Sequence, residues 1–555
     1  MTRQRPTRTI AGPAPATAGD ASRWPAEAAG AILIVAAILL AFWPSLDGGY
    51  LWDDDVWITP VATTPTQRLI HDDRGLYGIW FTTQAVDYWP LSNSLFWLEW
   101  RLWSMTPTGY RAVNLLLHAI GSLLVWRVLR RLRIPGAWLG ACLFAIHPVT
   151  VASVAWIAEL KNCLSLPLYA AAMLAWLQFD EEGDRRWYAA SLAAFALALL
   201  AKASTVALPL VLLLACWWRR GRIDRRDLLR AAPFLLLALA MGLMTIGMQA
   251  PRGAVPETAG PEPLLARIAA SGCVVLFYLT KALVPVRLAM IYPQWTVDPT
   301  TLRAWMPLVI LAGTAAAIQQ FVPRWRRALF LALGCFSATL APVLGIIPMR
   351  FGQFSPVSDH LQYLALPAIT ALEAAGLATL SAGRRTRPVA RAVAALLLVL
   401  LMLLTWHRSF VFRSDEALWR DSLAKNPYSA QAHYNLAEIL AEIGRPDEAA
   451  AHYRDALRLE PGFAQAHNNL GALLGRQGHL DDAIAHFAEA VRIEPDYAEA
   501  HNNWGVALAV RGDLSEAVAH FEQAVRLNPD HENARLNLRR SQEQVQSRQS
   551  APTKD

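Results

Sequence analysis

Long apolar blocks, separated by short loops rich in arginine, occupy the first three quarters of the chain. The first block, about residues 26–46, has the ~20 residues that a helix needs to cross a bilayer. Further apolar blocks follow at about 110–131, 135–147, 163–179, 187–201, 203–218, 231–248, 305–322, 328–346, 363–381 and 389–405. The pattern predicts an all-α, polytopic membrane domain of about eleven spans over residues 26–410.

The arginines between these blocks indicate the orientation. Six of them lie in the loop 219–230, and cytoplasmic loops carry an excess of basic residues. This loop and the N-terminal tail, residues 1–25, are therefore predicted to be cytoplasmic, and loop 47–109 to lie outside. If one more apolar run, 264–284, also crossed the membrane, the later arginine-rich loops would lie on the outer side. We therefore expect it to be re-entrant or interfacial, and the C-terminal domain to lie outside.

Beyond about residue 410, the apolar blocks give way to a strict repeat of 34 residues. The recurring residues are Pro427, Pro461, Pro495 and Pro529, then Gly444, Gly478 and Gly512, and the aromatic series Trp419, Tyr453, Phe487 and Phe521. This period and these residue types are those of the tetratricopeptide repeat, which has two helices per unit. The sequence predicts an α-solenoid over 411–546, with full repeats at about 428–461, 462–495 and 496–529, a capping helix and a disordered tail, 547–555.

Composition agrees with this division into two parts. Of the 555 residues, 54% are apolar, and the net charge of +7 combines +15 in residues 1–413 with −8 in residues 414–555. The basic residues lie in loops where membrane topology explains them, so no nucleic-acid binding is predicted. The five cysteines lie within apolar runs and lack the spacing of metal ligands, so no metal site is predicted.

Three consecutive carboxylates, Asp53, Asp54 and Asp55, follow directly after the first apolar block, between Trp52 and Trp57. Buried charges are costly in hydrocarbon, so this loop is expected to stand in water at the bilayer edge, where indole rings anchor. A solvated turn or an adventitious cation site is one explanation. The functional hypothesis is that one carboxylate acts as general base on an acceptor hydroxyl while its neighbour raises its pKa or orients the substrate.

Charged residues also collect at the predicted outer ends of apolar blocks, where the orientation rule does not favour cations. They are His147, Glu159, Lys161, Lys202, Lys281, Arg287 and Arg350. Such cations could hold a lipid-linked phosphate, because anionic charge at a boundary of low dielectric requires fixed donors. Structural pairing, as of Glu159 with Lys161, and interfacial snorkelling are the alternatives. His118, inside a predicted span, is better explained as an interhelical hydrogen-bonding residue.

Polar side chains within the repeats follow the same period. His433, His467 and His501 form one series and His452, His486 and His520 another, so we interpret them as repeat positions and not as a metal cluster. Asn435, Asn469 and Asn503 form a third series on the first helix of each repeat, which lines the concave groove of such solenoids. Because amide side chains can pair with a peptide backbone, these asparagines are predicted to line a protein-binding groove.

Several short motifs, in order, resemble those of the membrane O-mannosyltransferases with C-terminal tetratricopeptide repeats, and of their bacterial relatives, in the C-type glycosyltransferase superfamily. The motifs are Trp52-Asp53-Asp54, Gly109-Tyr110 with Asn114 and His118, His147-Pro148, Glu159-Leu160-Lys161, Lys202-Ala203, Lys281 with Tyr292-Pro293, and Ser358-Asp359-His360 with Tyr363. The resemblance covers most of residues 26–540. It departs from the bacterial pattern at Leu160, Asn162 and His360, where an arginine, an aspartate and an arginine are usual.

The resemblance implies an eleven-span core and an inverting transfer of a mannose-like sugar from a polyprenyl-phosphate donor to a serine or threonine hydroxyl. Asp53 and Asp54 match the essential aspartate pair. We assign Lys161, Lys202, Lys281 and Arg350 to the donor phosphate, with His147, Glu159, Asp359 and His360 in supporting roles. The expected location is a bacterial inner membrane, with the repeats in the periplasm recruiting an acceptor protein. No cofactor beyond the donor is indicated, and a divalent-metal requirement is left open.

Three other functions fit parts of the sequence. A non-catalytic, membrane-tethered repeat scaffold for envelope complexes is one, although so many spans exceed what an anchor needs. A transporter or flippase of a lipid-linked solute is another, which charges deep within spans would favour. Transfer of a whole oligosaccharide to protein or lipid would stay within the same reaction class.

Overall fold

The computed structural model describes residues 24–59, 64–82, 84–85, 87–249, 263–347 and 350–550, and these residues form helices and connecting turns with no β-strand. The all-α fold class is therefore confirmed. The predicted cytoplasmic tail lies outside the described residues except for its last two positions. The predicted disordered tail is wrong for residues 547–550, because the last helix continues to Ser550. That stretch contains Arg548 and Gln549, which are residue types that favour helices, and neither proline nor glycine.

The membrane domain comprises seventeen helices among the described residues. They are α1 (Trp24–Leu46), α2 (Asp54–Trp57), α3 (Pro65–His71), α4 (Gly75–Phe81), α5 (Pro90–Trp103), α6 (Pro107–Arg131), α7 (Ala137–Ala145), α8 (Val151–Val154), α9 (Leu160–Glu182), α10 (Arg185–Ala201), α11 (Leu208–Arg220), α12 (Arg225–Gln249), α13 (Leu264–Leu283), α14 (Leu302–Phe321), α15 (Arg326–Leu340), α16 (Leu366–Ala382) and α17 (Arg387–Val411). Short 3-10 turns join several of them.

Eight helical segments are long and apolar enough to cross a membrane, namely α1, α6, α12, α13, α14 and α17, and α9 and α15 when the adjoining 3-10 turns are included, as Ile157–Glu182 and Arg326–Val343. The pair formed by α7 and the segment Pro148–Val154, bent by 47°, could be a ninth. Helices α10, α11 and α16 have 17, 13 and 17 residues, fewer than the ~20 needed. The described residues therefore do not confirm eleven spans. Polar turns, such as the one at Lys202, divide apolar runs into shorter helices.

Helix α13, in the run expected to be re-entrant or interfacial, is unbroken. A re-entrant path is therefore wrong, because such a path requires a reversal within the run. Near the start of α13, Arg267 donates a hydrogen bond to the carbonyl of Ile346 (2.8 Å), and near its end the Tyr278 hydroxyl accepts one from the Ser358 N–H (3.0 Å). Both partners lie between α15 and α16. An interfacial placement remains a prediction.

Close helix packing holds the polar segments of the membrane domain in place. A Cβ atom at Gly121 on α6 would lie 2.7 Å from the side chain of Leu166 on α9, and one at Gly140 on α7 would lie 3.2 Å from the Cα of Ala371 on α16. Small residues of this kind let helix backbones approach each other within a membrane. The turns at the ends of these helices are therefore fixed relative to one another.

The repeats follow in eight helices. They are α18 (Asp415–Lys425), α19 (Ala430–Glu442), α20 (Pro446–Leu459), α21 (Ala464–Arg476), α22 (Leu480–Ile493), α23 (Ala498–Arg511), α24 (Leu514–Leu527) and α25 (Glu532–Ser550). The periodic glycines Gly444, Gly478 and Gly512 have φ values of +78°, +88° and +107°, at the turn between the two helices of each repeat. Only glycine adopts this conformation without steric cost, which explains their period.

Helix α18 packs directly against the membrane domain. Its Asp415 accepts a hydrogen bond from the Trp52 N–H (2.8 Å), and the Trp419 ring meets the Trp52 ring edge-on at 5.3 Å. At the other end of α18, Lys425 donates to the carbonyl of Leu288 (2.6 Å). The first repeat helix therefore contacts both the acidic loop and the segment after α13.

Candidate functional site

Asp54 is a structural carboxylate at the centre of the acidic loop. Its Oδ2 accepts from the Leu51 N–H (2.9 Å) and its Oδ1 from the Ala158 N–H (2.7 Å), and the side chain is fully buried. The prediction that this loop stands in water is therefore wrong for Asp54. The backbone donors replace water, which is the condition for burying a charged group. Burial and the Asp53 charge raise the pKa of Asp54, and the Arg111 guanidinium opposes them.

Asp53 has a different environment from its neighbour. Its Oδ2 accepts a long hydrogen bond from the Trp57 indole (3.4 Å), and its buried Oδ1 has no hydrogen-bond partner among the described residues. Burial raises the pKa of Asp53 to about 6, the Lys161 ammonium opposes the rise and the Glu159 carboxylate adds to it. A carboxylate with a free oxygen and a pKa near neutrality is suited to accept a proton.

Glu159 is the centre of a buried cluster of charges. Its carboxylate lies 2.9 Å from Lys161 Nζ, 3.6 Å from Lys202 Nζ and 3.8 Å from His360 Nε2. Asn162 joins the same group, because its amide nitrogen donates to Glu159 and its oxygen accepts from Lys202. The predicted pairing of Glu159 with Lys161 is confirmed, and the structure brings the predicted residues Lys161, Lys202 and His360 together around one carboxylate.

Aromatic side chains connect this cluster to Asp53. The Lys161 ammonium lies 4.8 Å from the centre of the Trp89 ring, which stacks on Trp57 at 6.0 Å. On the other side, the Trp52 ring stacks on Trp156 at 5.5 Å with only 9° between the planes. Trp52 has φ +46°, an uncommon conformation for a non-glycine residue that its stacking and backbone hydrogen bond hold in place. Asp53 thus contacts one aromatic pair through its hydrogen bond with Trp57 and directly follows Trp52 of the other pair in the chain.

Asp359 and His360 are adjacent but face different groups. Asp359 Oδ1 accepts a hydrogen bond from the Tyr292 hydroxyl (2.7 Å), and its Oδ2 lies 3.9 Å from the Arg408 guanidinium. Burial raises the pKa of Asp359 to about 6, and Arg408 opposes the rise. Asp359 therefore belongs to a second polar centre, next to the first because His360 contacts Glu159.

Lys281 lies in this second centre and not beside Lys161 and Lys202. Its ammonium donates to the carbonyl of Val286 (2.7 Å) and lies 5.6 Å from the centre of the Tyr292 ring. Together with Arg287 and Lys425 it lines a pocket of about 280 Å³ between the membrane domain and α18. The predicted phosphate-binding lysines therefore occupy two places.

Other predicted site residues have structural partners. His147 hydrogen-bonds the carbonyl of Ala282 (3.1 Å), which ties the break after α7 to the end of α13. His118 bridges the Tyr363 hydroxyl (2.7 Å) and the carbonyl of Ala145 (2.9 Å), as an interhelical residue should. The side chain of Arg350 lies outside the described residues, so its assignment stays a prediction.

Two members of the asparagine series, Asn469 and Asn503, are hydrogen-bonded to side chains of the preceding repeat. Asn469 donates to the Tyr434 hydroxyl (3.0 Å) and to Glu438 (3.0 Å), and Asn503 donates to Asn468 (3.1 Å). The Asn435 amide nitrogen is buried and has no partner within the described part of the chain. The contacts of Asn469 and Asn503 join successive repeats, and peptide binding by the series stays a prediction.

Two buried arginines, Arg111 and Arg408, are not among the site residues predicted from the sequence. Arg111 on α6 donates to the carbonyls of Ala155 (3.0 Å) and Gly49 and so supports the acidic loop. Arg408 near the end of α17 pairs with Asp421 on α18 and faces Asp359. An arginine close to the end of an apolar run is a signal that could have identified both, since such residues are rare within spans.

Known proteins match both parts of the chain, the membrane domain and the repeats. Residues 89–246 match the family model described as dolichyl-phosphate-mannose-protein mannosyltransferase, and residues 418–451 and 468–532 match tetratricopeptide-repeat models. A protein O-mannosyl-transferase of Caenorhabditis elegans is 23% identical over 443 residues, 76% of this chain and 61% of that protein. The protein O-mannosyl-transferase TMTC4 of Mus musculus is 26% identical over 486 residues, 75% of this chain and 64% of that protein.

The chain is similar to protein O-mannosyltransferases over about three quarters of its length, and it carries tetratricopeptide repeats. It spans less than two thirds of the length of these two O-mannosyltransferase relatives. The matched mannosyltransferase region begins at Trp89 and includes Glu159, Lys161 and Lys202, whereas Asp53 and Asp359 lie outside it. Among solved structures, MamA is 19% identical with a TM-score of 0.23, and the match covers 24% of this chain and 74% of MamA.

Proposed function

We propose that this chain is an inverting membrane glycosyltransferase, which moves a mannose-like monosaccharide from a polyprenyl phosphate to a serine or threonine hydroxyl of a protein. The reaction would take place on the side of the membrane where Asp53 and the repeats lie, the periplasmic side if the host is a bacterium. One observation carries the proposal: Asp53 has a buried, unpaired carboxylate oxygen beside the Glu159 cluster.

Asp53 acts as the general base in this proposal. Its Oδ1 takes the proton of the acceptor hydroxyl as the hydroxyl oxygen attacks the anomeric carbon of the sugar. The bond from that carbon to the phosphate oxygen breaks, and the electron pair leaves with the lipid phosphate. Attack opposite the leaving group inverts the anomeric configuration. Asp54 is not assigned as the base, because both its oxygens accept backbone hydrogen bonds that hold the loop.

Lys161 and Lys202 meet the charge of the leaving phosphate. Both ammonium groups lie around Glu159, which keeps two cations together in a buried place that neither could occupy alone. A phosphate that enters beside them gains fixed donors that need little rearrangement, which is the basis of electrostatic stabilisation in transfer reactions. Glu159 and Asn162 are positioning residues in this scheme.

The repeats recruit the acceptor protein. Tetratricopeptide repeats form concave surfaces suited to other polypeptides, and α18 connects that surface to the acidic loop through Asp415 and Trp419. An acceptor held on the repeats would therefore be close to Asp53. Asn435 is the position of the series with an unpaired amide nitrogen.

The test is transfer of radiolabelled sugar from polyprenyl-phosphate mannose to protein in membranes that contain the chain. Wild type is compared with Asp53→Asn and with a matched control, Asp73→Asn, whose side chain is 97% exposed. We expect labelling in wild type and in the control, and loss of at least about 100-fold in Asp53→Asn, as is typical for removal of a general base. Labelling that survives Asp53→Asn would disprove the role of Asp53. If no labelling occurs with mannose or glucose donors, the scaffold function is favoured instead.

A further inference from the structure

Three histidine pairs are stacked along the repeats. Each pair joins the first helix of a repeat to the second through Nδ1 atoms: His433 with His452 (2.9 Å), His467 with His486 (2.9 Å) and His501 with His520 (3.1 Å). The pairs explain the two histidine series of the sequence, which lie one helix apart.

A backbone carbonyl fixes the protonation of the first ring in each pair. His433 Nε2 lies 3.2 Å from the carbonyl of Pro427, and the equivalent atoms of His467 and His501 lie 3.3 Å from the carbonyls of Pro461 and Pro495. A carbonyl accepts only, so Nε2 carries the proton and Nδ1 of the neutral ring presents a lone pair to its partner. Metal-ligating histidines have this same arrangement, with the second nitrogen donating to a carbonyl.

The first pair differs from the other two in its third neighbour. His433, His452 and Asp455 each offer one possible ligand atom, a ring nitrogen or a carboxylate oxygen, and these three atoms all lie within 4.8 Å of one another. One period later, the position of Asp455 is Glu489, which pairs with Arg492 at 2.6 Å, and two periods later it is Gln523. Within the described part of the chain, the first pair is the only one of the three with such a group of three ligands.

We infer that His433, His452 and Asp455 form a binding site for a divalent transition metal such as Zn²⁺, with water as the fourth ligand. Two imidazole nitrogens and a carboxylate are ligands that Zn²⁺ takes in tetrahedral sites. Zn–N bonds of about 2.0–2.1 Å require about 3.3 Å between the two Nδ1 atoms, so the rings need to separate by only a few tenths of an ångström. Asp455 must leave Arg458, an exposed pair at 3.0 Å.

A second group of possible metal ligands is less suited to hold a cation. Asp180, Cys216 and Asp227 also lie close together, but Arg220 pairs with both of its carboxylates. Its guanidinium therefore already satisfies the charge that a cation would meet. At the histidine pair, the lone pair of the first ring faces a ring nitrogen and not a fixed cation.

The experiment uses the full chain in detergent, without a polyhistidine tag and stripped with a chelator. Zn²⁺ alone is added by equilibrium dialysis, and bound metal is counted by mass spectrometry. Asp455→Asn is compared with the matched variant Glu489→Gln, and His452→Gln with His486→Gln. Circular dichroism confirms that each variant is folded.

We expect Asp455→Asn to weaken one Zn²⁺ site by at least about tenfold, since even outer partners of metal ligands are worth about 10- to 100-fold. Glu489→Gln and His486→Gln should leave this site unchanged, and His452→Gln should abolish it. Zn²⁺ should also raise the unfolding temperature of wild type and not that of His452→Gln. The inference would be overturned if wild type and Asp455→Asn bound Zn²⁺ equally. It would also be overturned if Glu489→Gln and His486→Gln weakened Zn²⁺ binding as much as Asp455→Asn and His452→Gln. These outcomes do not depend on transferase activity.

Discussion

Asp53 and Asp54 are adjacent in the chain, yet both oxygens of Asp54 accept backbone hydrogen bonds while one oxygen of Asp53 is buried without a partner. The difference arises because the short helix α2 begins at Asp54 and turns its carboxylate towards Leu51 and Ala158. One carboxylate therefore holds the loop, and the other is left for chemistry. The two positions should respond differently to the same substitution.

Asp54→Asn should destabilise the protein, and Asp53→Asn should not. In Asp54→Asn an amide nitrogen replaces one acceptor and faces a backbone N–H, which leaves a buried donor unsatisfied at a cost of about 1–3 kcal/mol. Asp53→Asn removes a buried charge with little hydrogen bonding, so its effect should be near zero. The stability changes of both variants are measured as unfolding temperatures in detergent, with Asp73→Asn as the exposed control. A larger loss in Asp53→Asn would contradict this assignment.

Transfer should depend on the ionisation of Asp53. Burial raises its pKa to about 6, and only the ionised form accepts a proton, so the active fraction is about nine tenths at pH 7 and about one tenth at pH 5. The rate should therefore fall about tenfold between these values. Asp359 titrates in the same range, so Asp359→Asn is the necessary comparison. Asp359→Asn should keep the pH profile of wild type. If the profile flattens in this variant, Asp359 and not Asp53 is the general base.

Glu159→Gln should be strongly destabilising. Its carboxylate is the shared partner of Lys161 and Lys202, and removing one member of a buried ion pair costs about 3–5 kcal/mol because a charge stays buried without compensation. Adding Lys161→Met should recover part of that loss, since one uncompensated ammonium disappears. Chemical denaturation in detergent measures both. Glu181→Gln is the more exposed comparison, because its carboxylate is 35% exposed in its pairs with Arg131 and Arg219, and it should cost about 1 kcal/mol.

Arg408 should connect the repeats to the second polar centre. It pairs with Asp421 on α18 and lies 3.9 Å from Asp359, and its side chain is buried. Arg408→Met should cost about 3–5 kcal/mol and increase hydrogen exchange in α18. The control is Arg413→Met, because Arg413 pairs with an exposed carboxylate, that of Asp47, and should cost at most about 1 kcal/mol. Equal exchange in the two variants would mean that α18 docks without this pair.

The sequence was sufficient for the features that local physics dictates. The 34-residue period predicted the repeats, because proline, glycine and aromatic positions each meet a fixed requirement of one helix pair, as the positive φ values of Gly444, Gly478 and Gly512 illustrate. The apolar blocks predicted a helical membrane domain for a similar reason. They did not predict its number of spans, because the breaks at His147 and Lys202 depend on which turns pack together.

The candidate site was only partly predictable. Motif order singled out Asp53, Glu159, Lys161 and Lys202, but nothing local distinguishes Asp53 from Asp54 or separates Lys281 from the other lysines. Those distinctions depend on partners far along the chain, such as Ala158 for Asp54 and Tyr292 for Asp359. The sequence by itself determined the helices, the repeats and the residue types of the site. Only the tertiary structure decided which carboxylate is satisfied and which is free, because hydrogen bonds between distant segments and burial, not sequence neighbours, set the environment of each charge.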